Sequence, residues 1–486
     1  MRGPGARLRR LGAGAIAALG LALLPSGVSA APTINCSGTA PMVCAGTTTE
    51  SSGLVSNYLI EVPSPWNGTL VLYSHGYSFP PPPAPQAAED VGDDATKAWL
   101  LGNGYAIAGS SYATTGWALE QAFQDQIAVL DVFSANVGHP KRTIAWGHSL
   151  GGMITAGLVQ LFPNRFTAAL PMCGVVAGGL GVWNQGLDSE FALLTLQAPG
   201  AFKLVNFKSA GDVAANFGAA TAALADAQKS PQGRARIALS AALADVPGWF
   251  DPASAQPAAT DYTAQELNQF NWDNSPDFLF GFFGRAELEA RAGGNFSWNT
   301  GVDYEAQLAK STDRAEVKAL YKIAGLDLEK DLETLSDAPR IAVTKPSATA
   351  YVTKFITYNG DLDMPVLTMH TTGDGLVEVT DEQAYASVVR SAGDSSMLRQ
   401  VFVHRAGHCT FTPAETISAF KTLVHRIDTG RWSGTSAAAL NSQATGLGSA
   451  LNVAPASFIE FKPGQFLRPF DARNVDEEGD SGDHQD

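Results

Sequence analysis

Gly147-His148-Ser149-Leu150-Gly151-Gly152 follows the apolar run Thr143-Ile144-Ala145-Trp146 and precedes Met153–Leu161, which reads as a helix. The stretch fits G-x-S-x-G set between a strand and a helix. Its glycines let the backbone turn tightly with little side-chain obstruction. Such a turn lifts the Ser149 hydroxyl above the end of a sheet, at the start of the helix. A glycine-rich turn met by chance is the competing reading, and the strand-to-helix context argues against it.

The flanking sequence extends the same rhythm. Upstream, Tyr58–Pro63 alternates like a strand, and Thr69–Ser74 and Tyr105–Ser110 are apolar runs. Lys97–Leu101 and the amphipathic Leu119–Asn136 read as helices, and the prolines Pro80–Pro83 and Pro85 make a stiff loop. Phe166–Met172 is the strand after the Ser149 helix. Continuous apolar runs fit strands buried on both faces of a parallel sheet. Their alternation with helices predicts an α/β fold: a doubly wound, mostly parallel sheet.

The rhythm stops at Gly179. To Lys345 the chain is alanine-rich and mainly helical, with helices predicted over Ala214–Gln228 and Arg234–Val246. It resumes with strand Pro365–His370, helix Glu382–Ser391, strand Leu398–Val403 and helix Ala414–Thr429. Residues 179–345 therefore read as a large inserted helical cap. Its run Phe278, Phe280, Phe282 and Phe283 either lines a pocket or forms the cap's own core.

A serine hydroxyl needs a base to take its proton, and histidine titrates near neutrality. The order expected after G-x-S-x-G is serine, acid, histidine. Of the histidines after Ser149, His370 falls inside a strand, His425 on a helix and His484 in the tail. His404 and His408 flank Arg405-Ala406-Gly407, just beyond the last apolar strand. His408 is preferred because Ala406-Gly407 frees the backbone to place it, with His404 the alternative. The acid expected is Asp374, between Gly373 and Gly375 after strand 365–370, with Glu378 and Asp381 as competitors. There it can fix the histidine tautomer. Two N–H groups should hold the oxyanion. One is that of Leu150, and the other is assigned to Tyr77, in the loop Ser74-His75-Gly76-Tyr77. His75 is expected to hydrogen-bond within that loop.

The strand leading to His75-Gly76, the Gly147–Gly151 turn, Gly373-Asp374 and Gly407-His408 together resemble the α/β-hydrolase superfamily. Within it the chain is similar to exported bacterial carboxylesterases and lipase-like serine hydrolases. The resemblance covers residues 58–178 and 346–430. It implies an eight-stranded sheet, a helical cap between strands six and seven, and no cofactor. Its implied substrate is a small-molecule or polymeric ester. An exported serine peptidase of the same fold is the alternative. A binding protein without catalysis is disfavoured, since no triad member is missing.

Composition bounds the setting. Arg2, Arg7, Arg9 and Arg10, the apolar Leu11–Leu24 and the small Val28-Ser29-Ala30 form a signal-peptide pattern over residues 1–30. Without it, 28 basic residues face 47 acidic ones, a formal charge of −19. Such a surface repels nucleic acid, and no later segment is long and apolar enough for stable membrane insertion. Secretion suits four cysteines paired as two disulfides. Cys36 with Cys44 is the natural local pair, which leaves Cys173 with Cys409. The expected organisation is signal peptide 1–30, hydrolase core 31–178 and 346–431, cap 179–345, and an extension 432–486 ending in an acidic tail. Neither a metal nor an oligomeric state is implied.

Overall fold

A computed structural model of the chain describes residues 35–50, 52–79 and 86–470. The expected signal peptide, the prolines Pro80–Pro83 and Pro85, His484 and the acidic tail lie outside the described residues. Ten strands form one sheet: β1 (Asn35–Ser37), β2 (Met42–Thr49), β3 (Val55–Val62), β4 (Thr69–Ser74), β5 (Ala106–Ser110), β6 (Arg142–His148), β7 (Ala168–Met172), β8 (Val366–Gly373), β9 (Leu398–Ala406) and β10 (Phe458–Ile459). Their order is β1-β2-β3-β5-β4-β6-β7-β8-β9-β10. β5, β4, β6, β7, β8 and β9 pair in parallel, and the outer strands pair antiparallel.

Among the described residues the expected count of eight strands is corrected to ten. β2–β9 make up the eight, and β1 and β10 extend the edges. Three- and two-residue strands are too short to leave a period-two signal in sequence. β2 is missed for another reason. Its MVCAGTTT is only part-buried, and after Met42 and Val43 it carries small and polar residues rather than the continuous apolar run of an inner strand.

The central strands are buried on both faces because each face meets a helical layer. Leu70, Leu72, Ala145 and Ala169 pack with helices Leu119–Asn136 and Leu150–Leu161. Their alternates Val71, Ile144, Trp146 and Leu170 pack with helix Pro413–Thr429 on the other side.

Between β7 and β8 the described chain contains helices and no strand. These helices hold a core of their own around Leu187, Phe191, Leu239, Phe282 and Tyr321. Glu287 ties them to the body by accepting from Trp117 N–H at 2.9 Å. The C-terminal segment crosses back over them. Leu467 N–H donates to Gln185 Oε1 at 3.1 Å, and the Arg468 guanidinium pairs with buried Asp188. Disulfides join Cys36 to Cys44 and Cys173 to Cys409. Among the described residues no helix is long and apolar enough to cross a membrane.

Candidate active site

Ser149 sits between β6 and helix Leu150–Leu161 with φ 58° and ψ −126°. A non-glycine residue there costs on the order of 1–3 kcal/mol and persists only where the surroundings fix it. The packing around the turn does so. A Cβ at Gly151 would stand 1.9 Å from Ser74 O, and one at Gly147 2.5 Å from Gly151 O. The turn thus presses against the end of β4, where only glycine leaves room. That contact brings the loop after β4 beside the serine: a Cβ on Gly76 would lie 4.0 Å from Ser149 Oγ. Tyr77 and Leu150 line the same cavity as Ser149. His75 keeps to its loop, with Nδ1–H donating to Gly76 O at 2.8 Å and its ring stacked on Tyr112.

Asp374 follows β8, and its two oxygens have separate duties. Oδ1 accepts from the N–H groups of Leu376 and Val377, both at 3.1 Å. Oδ2 accepts from His408 Nδ1–H at 2.8 Å. Asp374 is 1% exposed. Burial pushes its carboxyl up, but the His408 and His370 imidazoles outweigh burial and hold it at about 2. His404 is placed elsewhere: it lies on β9, tilted against Trp249 and 3.5 Å from Thr372 Oγ1. Asp381 accepts from Ala177 N–H at 3.3 Å, and Glu378 faces the cavity. Neither touches His408.

Among the described residues no hydrogen bond within 3.5 Å joins Ser149 Oγ to His408, whose Nε2 lies 3.4 Å from Cys409 Sγ. Catalytic hydrogen bonds are often long in a free enzyme and tighten around substrate. Cys409, at φ 56°, is bonded to Cys173, at φ 42°, the residue that follows β7. The disulfide therefore anchors the His408 loop to a central strand.

Sequence reasoning passed over His370 because it lies in a strand. In the structure it is fully buried behind Asp374. Its Nε2–H donates to Val377 O at 2.9 Å and lies 3.6 Å from Asp374 Oδ2. Its Nδ1 is 3.2 Å from Glu382 Oε1, while Glu382 Oε2 accepts from Thr368 and Gln400. A carbonyl and a carboxylate only accept, so both ring nitrogens carry protons and the ring is charged. Burial opposes that charge, but the Asp374 and Glu382 carboxylates outweigh it and push the ring up to about 10. A histidine in a strand buried on both faces was itself the missed signal, since such a group needs partners.

The cavity over Ser149 encloses about 890 Å³, part of it open to solvent. Phe278 and Phe280 line it, and Phe278, Phe282 and Phe283 pack into the helical core. The aromatic run thus serves both of its expected roles. A turn widened to the i→i+5 pattern, Asp273–Asp277, precedes it, and a second, Phe280–Gly284, carries its last three phenylalanines.

Residues 102–178 match the model of the prolyl oligopeptidase family. Over 414 residues the chain is 27% identical to the o-phthalyl amidase of Xanthobacter agilis, covering 80% of this chain and 88% of that protein. Solved structures similar to it include an esterase from Aspergillus oryzae, with 13% identity, 80% of each chain covered and a TM-score of 0.41. Another is a ligand-bound form of the rice cell wall degrading esterase LipA from Xanthomonas oryzae, with 12% identity, 82% and 91% covered and a TM-score of 0.35. With its parallel sheet, the serine turn between β6 and the following helix, and the match across that turn, the chain has the α/β-hydrolase fold of a serine hydrolase.

Proposed function

We propose that this enzyme hydrolyses carboxylic esters through an acyl-enzyme intermediate, with Ser149 as nucleophile, His408 as base and Asp374 as its orienting acid. The observation that carries the reading is the 2.8 Å bond from His408 Nδ1–H to Oδ2 of Asp374, which directly precedes residues 375–378 in the lining of the Ser149 cavity. With its Nδ1 proton held by Asp374, His408 presents an unprotonated Nε2 to the serine. Ser149 Oγ attacks the acyl carbon as Nε2 takes its proton. The N–H groups of Leu150 and Tyr77 hold the oxyanion. The imidazolium then protonates the departing alcohol, and water repeats the sequence to release the acid. The helical segment 179–345 acts as a cap that supplies the apolar cavity wall. The two disulfides suit an oxidising compartment and support an exported enzyme.

Amide hydrolysis is the second reading, favoured by the amidase relative and the peptidase family match. Rates on p-nitrophenyl acyl esters and on the matching anilides separate the two. The ester reading predicts at least about a hundredfold higher kcat/KM on esters of equal acyl group, a difference of about 2.7 kcal/mol in barrier. Anilides turned over faster than esters would reverse the order.

The buried His370 gives a pH prediction. Asp374, Glu382 and Asp381 face it, and His370→Gln removes the one cation among them. Asp374 then stabilises the imidazolium form of His408 more strongly. The acid limb of the kcat/KM profile should move to higher pH by about one unit, some 1.4 kcal/mol of lost cation. An unmoved limb with merely lower activity would leave His370 a packing residue.

The Cys173–Cys409 disulfide gives another. Closing a loop with a sequence separation of 236 contributes roughly 5 kcal/mol in the chain-entropy account. Under mild reduction, ester hydrolysis should fall before the global unfolding transition, because the His408 loop loses its anchor. Activity that declines only in step with far-UV circular dichroism would show that the bond serves stability alone.

A further inference from the structure

The cavity that holds Ser149 is not purely apolar. Glu190 reaches it from helix Gly179–Gln197, Asp273 and Asp277 from the widened turn Asp273–Asp277, and Glu378 from the loop after β8. Three separate elements therefore deliver carboxyl groups to one wall. Glu190 is 5% exposed and Asp273 2%. Glu190 Oε2, Asp273 Oδ2 and both oxygens of Asp277 are buried without any hydrogen-bond partner. Arg285, the sole basic residue lining the wall among the described residues, eases the charge on Glu190 from a distance but pairs with none of the four. Among the described residues it forms no ion pair. It donates to Ser297 Oγ at 3.0 Å and Trp183 O at 3.1 Å, with its guanidinium over the Trp183 and Phe296 rings.

Unpaired carboxyls that serve only packing are costly, and a buried group normally finds a partner within the fold. Here the backbone makes way for one of them. A Cβ at Gly281 would fall 1.6 Å from Glu190 Oε1, so glycine is required for that carboxyl to reach the wall. Burial pushes Glu190 up to about 7 against the pull of Arg285, and burial with neighbouring carboxylates pushes Asp273, Asp277 and Glu378 well above the ordinary carboxylate range. Empty, the wall holds protons. A bound cation can take their place and satisfy the orphaned oxygens with charge-assisted hydrogen bonds.

We propose that Glu190, Asp273, Asp277 and Glu378 form a subsite for a cationic group of the substrate, a primary ammonium or guanidinium close to the scissile bond. The proposal rests on Ser149 as the nucleophile of the same cavity. It adds a charge requirement to an otherwise apolar pocket. Trp183, Phe278 and Phe280 would cover the methylene stem while the carboxyls take its head.

The test is a set of p-nitrophenyl esters of equal acyl length ending in an ammonium, a methyl or a carboxylate. The ammonium ester should exceed the methyl ester in kcat/KM by about tenfold or more, the range of a hydrogen bond to a charged group. Asp277→Asn and Glu190→Gln should each bring that ratio toward unity, with melting temperature as the check on folding. The same ranking should appear in calorimetric binding of the matching amides to Ser149→Ala, which needs no turnover. Equal rates and equal binding for ammonium and methyl probes overturn the subsite, and so does a preference for the carboxylate, which would assign the wall to Arg285. Ser149-dependent hydrolysis of the methyl ester without any ammonium gain would sink this proposal alone. Hydrolysis that survives Ser149→Ala would sink the nucleophile assignment instead, and the binding ranking would still decide the subsite.

Discussion

Ser149→Ala is expected to lower ester turnover about a million-fold, the usual consequence of removing a triad nucleophile. The fold should survive, and the reason is local. Alanine keeps the Cβ, so the φ of 58° is no more strained for it than for serine. The turn is set by neighbours rather than by the hydroxyl. Ser149 N–H donates to Met172 O at 3.0 Å, and Gly147 and Gly151 are pressed against backbone that tolerates no side chain. Ser149 Oγ is hydrogen-bonded to no other side chain among the described residues, so its loss leaves no buried partner unsatisfied. Melting temperature should therefore change little while kcat collapses. A purified Ser149→Ala protein with near-native kcat on p-nitrophenyl esters would remove Ser149 from the mechanism. The contrasting variant is Gly151→Ala, whose new methyl would meet Ser74 O and should destabilise the protein itself.

The elements legible in sequence were those with a single dominant cause. β4 and helix Leu119–Asn136 occupy the residues their patterns predicted, because each is a closed run of one periodicity between turn signals. β8 runs on to Gly373, three residues past the apolar stretch. Thr371 and Thr372 look like loop residues, but Thr371 pairs with Val403 of β9, and its hydroxyl donates to Gly407 O at 2.8 Å. Helix Ala437–Thr445 was hidden in a small-residue composition, and β10 pairs with β9 only because that helix returns the chain to the sheet edge.

The same division runs through the site. Ser149, Asp374 and His408 lie at turns with glycine neighbours, so local pattern picks them out as candidates. The acidic wall was not found, because its members are distant in sequence: Glu190 and Asp273 read alone as solvated acids, and Glu378 only as a competitor of Asp374. Only the folded helical segment brings them to one cavity. Glu382 and His370 were hidden in the opposite way. They face each other between β8 and the helix packed on it, where hydrophobic pattern leads a reader to expect aliphatic side chains.

Asp374→Asn is expected to cost on the order of ten-thousand-fold in turnover with the geometry retained, the effect of holding the wrong histidine tautomer. The hydrogen bonds around Asp374 dictate the outcome. Leu376 and Val377 N–H groups both point at Oδ1, so an asparagine must place its carbonyl oxygen there. Its NH₂ then occupies the position of Oδ2 and aims a proton at His408 Nδ1. Two donors cannot face one another, so Nδ1 must give up its proton and accept. The remaining ring proton moves to Nε2, the nitrogen that has to receive the serine proton, and the base is blocked. The same NH₂ also confronts His370 Nε2–H, now 3.6 Å from the carboxylate, and this removes one of the two anions that keep His370 charged. Glu378→Gln and Asp381→Asn touch neither histidine bond and should lose far less on an uncharged ester. Comparing kcat for the three purified variants, with melting temperature as the control for folding, decides the acid. If Asp374→Asn stays within about tenfold of the parent, a barrier change near 1.4 kcal/mol, while one of the other two falls by thousands, the orienting acid is that other residue.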